Sequence, residues 1–70
     1  MTFREKLKRV KVGDEIVFQH FVDNHLITRV ITKIKDDLSH LDGKCFWFKR
    51  GNGSIGFIKS YEVMDINLLH

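Results

Sequence analysis

Hydrophobic positions along the chain change their period once, near residue 13. Before that point Phe3, Leu7 and Val10 recur at i, i+4 and i+7, which lines one face of a helix. Thr2 followed by Glu5 has the form of a capping box, and Arg4, Lys6, Lys8 and Arg9 occupy the other faces. A short helix is predicted over residues 2–10, too brief to be stable unless it docks on the rest of the chain. Gly13-Asp14 breaks this pattern, and alternation takes over. Residues 15–22 set Ile16, Phe18 and Val22 against Val17 and Phe21, ahead of a turn signal at Asp23-Asn24. Residues 26–34 set Thr28, Val30, Thr32 and Ile34 against Ile27, Arg29, Ile31 and Lys33, a β-branched composition that favours a strand. A polar loop over 35–44 leads to the most apolar strand, 45–50. Gly51-Asn52-Gly53-Ser54 then marks a hairpin turn, from which 55–58 returns. One helical turn at 59–62 and a last strand within 61–69 complete the reading. The pattern predicts a mainly β fold: a small barrel of about five short strands with a short N-terminal α-helix. It forms one domain over residues 1–70, with the helix at 2–10 and the barrel at 14–69.

Composition sharpens this picture. The chain has 70 residues, 43% of them hydrophobic and 30% charged, and includes six Phe, one Trp and one Tyr, so it is built to fold rather than stay disordered. Cys45 is its single cysteine, which excludes an intramolecular disulfide framework and favours a cytoplasmic setting. No apolar run is long enough to cross a bilayer, and residues 1–11 are charged where a signal peptide would be apolar, so no membrane association is expected. Proline is absent, which leaves every backbone N–H free to join a ladder and suits a closed or nearly closed sheet. A net charge of +3 permits a polyanionic partner without requiring one.

Val12-Gly13-Asp14-Glu15-Ile16-Val17, then residues 30–34, 45–48 and 58–66, carry a resemblance to the strand rhythm of SH3-like small barrels. In that family a V-G-D-x-apolar string commonly opens the first long strand. The resemblance spans about residues 12–67 and implies a binding module. The acidic specificity loop and aromatic groove of the signalling SH3 domains have no counterpart here, so recognition of proline-rich peptides is not implied. In size and in lacking a catalytic site the chain is also similar to phage and plasmid accessory proteins.

Candidate chemistry is sparse. Gly51-Asn52-Gly53-Ser54-Ile55-Gly56 fits G-x-G-x-x-G, but a dinucleotide site needs that string between a strand and a helix, and strand-like alternation follows it. A hairpin tip is the simpler reading. A weaker one has Gly51, Gly53 and Ser54 contacting the phosphate of a small ligand. His20, His25, His40 and His70 match no standard ligand spacing, Cys45 has no cysteine partner, and no metal or cofactor is expected. Cys45 reads as a small buried apolar residue, His70 as solvated, and Asp36-Asp37 as separate solvated carboxylates. No enzyme activity is expected.

Basic and aromatic residues are more informative. Arg4, Lys6, Lys8, Arg9 and Lys11 crowd the N-terminus. Lys44, Lys49, Arg50 and Lys59 surround the hairpin, interleaved with Phe46, Trp47, Phe48 and Phe57. Small barrels combine exposed aromatics for bases with Lys and Arg for phosphates. The leading expectation is a binding module for nucleic acid or a nucleic-acid-processing complex, with Arg4, Lys8, Arg9, Lys49 and Arg50 as phosphate contacts. Against this, Phe46 and Phe48 are expected to point into the barrel and Trp47 outwards, where the helix stripe is expected to dock over it and remove any stacking platform. The alternative function is a small adaptor or inhibitor that binds a host protein through Trp47, Phe21 or Tyr61. The oligomeric state is open, because an uncovered edge strand or Leu68-Leu69 could join a neighbouring chain.

Overall fold

A computed structural model describes residues 1–69; the reading of His70 lies outside the described residues. The chain folds as α1 (Phe3–Arg9), β1 (Glu15–Gln19), β2 (Leu26–Asp36), β3 (Lys44–Lys49), β4 (Ile55–Lys59), the 3-10 turn η1 (Ser60–Glu62) and β5 (Asp65–Asn67). All strand pairings are antiparallel, in the order β4-β3-β2-β1-β5. The expected strand count is therefore met. Closure is not shown: among the described residues no pairing joins β4 to β5, and the strands make one unclosed sheet.

Strand β2 is the organising element. Its first half pairs with β1, from Gln19 opposite Leu26 to Glu15 opposite Val30. Its second half pairs with β3, from Ile31 opposite Phe48 to Asp36 opposite Lys44. Between Ile31 and Lys33 the register shifts, so Thr32 is the extra residue of a β-bulge. The Thr32 hydroxyl donates to the carbonyl oxygen of Trp47 at 3.2 Å, tying the bulge to β3. Unbroken alternation would put Ile31 and Ile34 on opposite faces. The extra residue brings both inward, and Lys33 turns outward opposite Trp47.

The inner face and the helix share one core. Ile16, Ile31, Phe46 and Ile66 are fully buried, with Val10, Phe48, Ile58 and Val63 beside them. Each such side chain contributes about 1.5–3 kcal/mol. Phe3 and Leu7 pack against this cluster, so the helix stripe lies on the inner side of the sheet, against β5. Thr2 caps the helix, its Oγ1 accepting from the Glu5 N–H at 3.2 Å and donating to Glu5 Oε1 at 3.2 Å. Lys6 Nζ reaches Asp65 Oδ1 on β5 at 2.8 Å. Asp14 of the V-G-D string is buried: its Oδ2 accepts from the Lys11 N–H and its Oδ1 from the Leu69 N–H, both at 2.9 Å. One carboxylate thus fastens the segment after the helix to the end of the chain. Gly56 faces Phe48 across the β3–β4 ladder, and a Cβ there would sit 2.5 Å from the ring's Cζ and closer still to Cε2.

Several boundaries differ from expectation. β1 ends at Gln19 rather than residue 22, because the His20 N–H donates to the His25 carbonyl and Asn24 takes the left-handed φ of 58°. Phe21 and Val22 therefore lie in the turn and not on strand faces. β2 runs on to Asp36, and β5 keeps only three residues of the 61–69 segment.

Candidate nucleic-acid interface

Period-two alternation on β3 and β4, with Phe46, Phe48, Gly56 and Ile58 inward, turns Cys45, Trp47, Lys49, Ile55, Phe57 and Lys59 outward. The bulge adds Lys33 and Lys35 from β2 to the same face. No acidic side chain occupies any of these outward positions. At the centre the Trp47 and Phe57 rings meet at 4.9 Å between centroids, tilted by 56°. Lys33 Nζ lies 5.0 Å from the Trp47 ring centroid, a cation–π contact. Trp47 is half-buried, and Phe57 keeps 47% of its surface exposed.

The expected docking of α1 over Trp47 is not what forms. The helix finds its apolar surface on the inner side of the sheet, where Phe3 and Leu7 cover the end of the core. That surface was invisible to the sequence reading because it arises only when the two halves of β2 bring β1, β3 and β5 around one cluster. Trp47 is instead flanked by Phe57 and Lys33.

The cations of the face differ in availability. Lys59 Nζ is 3.7 Å from the buried Asp37 Oδ2. The other Asp37 oxygen accepts from the Ser39 hydroxyl at 2.6 Å and the Ser39 N–H at 3.1 Å. These Ser39 bonds, with Lys59 adding to them, hold the Asp37 carboxyl below its ordinary value of 3.8, so the carboxylate stays charged and neutralises Lys59. Lys33, Lys35 and Lys49 make no ion pair among the described residues. They are the charges of the face that no acid neutralises, Lys33 resting on the Trp47 ring.

The five cations expected to contact phosphate fall into two groups. Lys49 lies on the outer face, and Arg50 adjoins it at the hairpin, its guanidinium donating to the Ile55 carbonyl at 3.0 Å. Arg4, Lys8 and Arg9 sit on α1, which packs at the opposite edge of the strand order. Arg4 is paired with Asp42 at 3.0 Å, while Lys8 and Arg9 are exposed. The sequence reading missed Lys33 and Lys35. Their signal was legible in the three-residue spacing of Ile31 and Ile34, which breaks strict alternation.

The other candidates are dispersed. Phe21 is 90% exposed at the β1–β2 turn, stacked on His20 at 5.5 Å, and Tyr61 is exposed on η1, its ring 5.0 Å from His40. At the glycine hairpin the Gly53 N–H donates to the Arg50 carbonyl at 2.9 Å, and Asn52 Oδ1 accepts from both the N–H and the hydroxyl of Ser54. Gly51 is exposed. The donors of Gly53 and Ser54 are thus spent inside the turn. Cys45 is half-buried between Lys35 and Lys59 on the outer face, not in the core as expected. Asp36 pairs with Lys44 at 3.6 Å, and Asp37 is buried rather than solvated. Among the described residues no cluster of three or more His, Cys, Asp or Glu could hold a metal ion, and no helix is long and apolar enough to cross a membrane. No protein-family model, curated protein or solved structure matches the chain.

Proposed function

We propose that this chain is a non-catalytic cytoplasmic module that binds nucleic acid on the outer face of β2, β3 and β4. The observation that carries the reading is a face with no acid at its outward strand positions, on which Trp47 and Phe57 are bordered by Lys33, Lys35 and Lys49, none of them in an ion pair among the described residues. Aromatic rings supply faces for bases, and ammonium groups supply charge for phosphates. Arg50 extends the face at the hairpin, while Arg4, Lys8 and Arg9 would act only on a ligand long enough to reach the other edge. The order β4-β3-β2-β1-β5, with β2 shared between two hairpins, supports an SH3-like barrel as the frame.

The test is binding of DNA and RNA at low and high salt. Affinity should fall as salt rises, because each neutralised phosphate releases counterions. Changing Lys35 or Lys49 to Glu should weaken binding to all sequences alike and flatten the salt dependence by about one contact. Absence of association with either polymer at low salt would remove the proposal.

A second reading, an adaptor for a host protein, draws support from a different place. Leu38 and Leu41 on the β2–β3 loop are 98% and 94% exposed, and Phe21 stands almost as free on the β1–β2 turn. Solvated apolar side chains of this size are the anchors that protein interfaces bury. Capture of one protein from extract, at constant yield across salt and after nuclease treatment, would favour it. Loss of that yield in a Leu38→Ser, Leu41→Ser variant would place the contact on the loop.

A further inference from the structure

We infer that the outer face takes a single strand, whose bases stack on Phe57 and Trp47 while Lys33 leaves the indole for a phosphate. This rests on the face being a nucleic-acid surface, and specifies which form of nucleic acid it fits.

A duplex matches the face poorly on two counts. Three strands at about 4.8 Å spacing make a surface about 14 Å across once the outer backbones are included. The major groove is about 12 Å wide and admits one helix or a two-stranded ribbon. A duplex could therefore lie on the face only by its phosphates, using Lys33, Lys35 and Lys49. The two rings would then have no role, because every base face in a duplex is covered by its neighbours and only base edges are offered. A single strand has faces to give. Phe57, exposed over nearly half its surface, and the indole beside it form two adjoining tilted plates on one side of the sheet. Stacking on such plates tolerates any base sequence, since every base has a π-face.

In the free protein Lys33 occupies the indole at 5.0 Å. An exposed cation–π contact shifts an equilibrium about two- to fivefold, and a base stacked on an aromatic ring about five- to 150-fold. The base therefore wins the ring. The displaced ammonium remains on a flexible four-carbon stem, beside the backbone of the base that displaced it. One lysine then serves two states: it shields the indole when the site is empty and neutralises phosphate when it is filled. Three lysines acting on a single strand give a slope of log K against log salt of about −2.

Trp47 is the only tryptophan, so its emission reports the site directly. Oligothymidine and oligouridine of about ten nucleotides, a hairpin duplex with equal phosphate count, and inorganic polyphosphate are titrated against the full chain. Both single strands should quench Trp47, and the duplex and polyphosphate should bind more weakly and leave emission unchanged. Phe57→Leu, which keeps apolar area but removes the π-face, should weaken single-strand binding at least about fivefold with the far-UV spectrum intact. Lys33→Met should lower the salt slope by about 0.7 and retain the quench. A duplex that binds as tightly as a single strand, or single strands that bind without moving Trp47 emission, would overturn the single-strand inference while nucleic-acid binding stands. Failure of every probe to bind would remove both.

Discussion

Replacing Gly56 with alanine isolates one contact on the inner face of the β3–β4 ladder, that between Gly56 and Phe48. In an ordinary strand interior Gly→Ala stabilises by about 0.5–1 kcal/mol, because glycine has more conformational freedom to lose on folding. Here the added methyl would sit 2.5 Å from Phe48 Cζ and 3.1 Å from Cδ2. The ring cannot readily swing away, since Phe48 is buried and meets Phe18 at 5.2 Å between centroids. Overpacking of this kind costs about 1–3 kcal/mol, so the sign inverts and Gly56→Ala should destabilise by about 1–2 kcal/mol. For a domain of this size that lowers the melting temperature by about 5–15 °C. Thermal and urea melts of four proteins test it: wild type, Gly56→Ala, Phe48→Leu and the double variant. Trimming the ring should relieve the clash, leaving the double variant more stable than the two single effects predict by about 1 kcal/mol or more. A Gly56→Ala protein that melts at or above wild type would refute the argument. So would additivity within about 0.5 kcal/mol.

Three further outcomes follow from the same structure. Asp14→Ala deprives the Lys11 and Leu69 N–H groups of their acceptor and should cost about 2–4 kcal/mol in a urea melt; a cost below 1 kcal/mol would show that the two chain segments are not held there. Asp37 and Asp65 have carboxyls held below 3.8, the first chiefly by Ser39 and the second chiefly by Lys6 with the Ile66 N–H. Their stabilisation is present above that unfolded value and is lost as pH falls through the lower folded values, so melts from pH 7 to 2 should fall off below about pH 4. In a Ser39→Ala, Lys6→Met variant that fall should be shallower, and an unchanged acid limb would refute the assignment. Acrylamide quenching of Trp47 should rise in Phe57→Ala and stay unchanged when Phe3 on the helix becomes Leu, since only the first residue flanks the indole.

Local chemistry was legible where it is decided locally. The Thr2–Glu5 cap, the stripe Phe3-Leu7-Val10, the Gly51–Ser54 turn and the inward pair Phe46 and Phe48 all follow from neighbours a few residues apart. Non-local outcomes were not. Whether β4 and β5 pair, and which apolar surface the helix stripe covers, depends on how far the sheet curls, and no short window encodes that. The middle of β2 lies between these cases. Strict alternation groups Lys33 with Ile31 and Ile34 with Thr32, although a buried lysine opposite Phe46 would carry an uncompensated charge into the core. That penalty, weighed at the sequence level, argues for the bulge. Phe21 illustrates the opposite failure: its β propensity favoured a strand, and the turn at His20–His25 overrode it.

The extra residue at Thr32 also bears on how such a chain can change over time. Removing it would leave Ile31, Lys33 and Ile34 in strict alternation, with the same side chains inside and outside as now. Elsewhere in β2 a one-residue change in length exchanges buried for solvated positions along the rest of the strand. The chain therefore has one place in its longest strand where a codon can be lost without exchanging interior for exterior, and that place adjoins the lysine that covers the indole. Length variation there would alter the reach of Lys33 over the ring while sparing the fold, giving selection a means of adjusting the surface independently of the core.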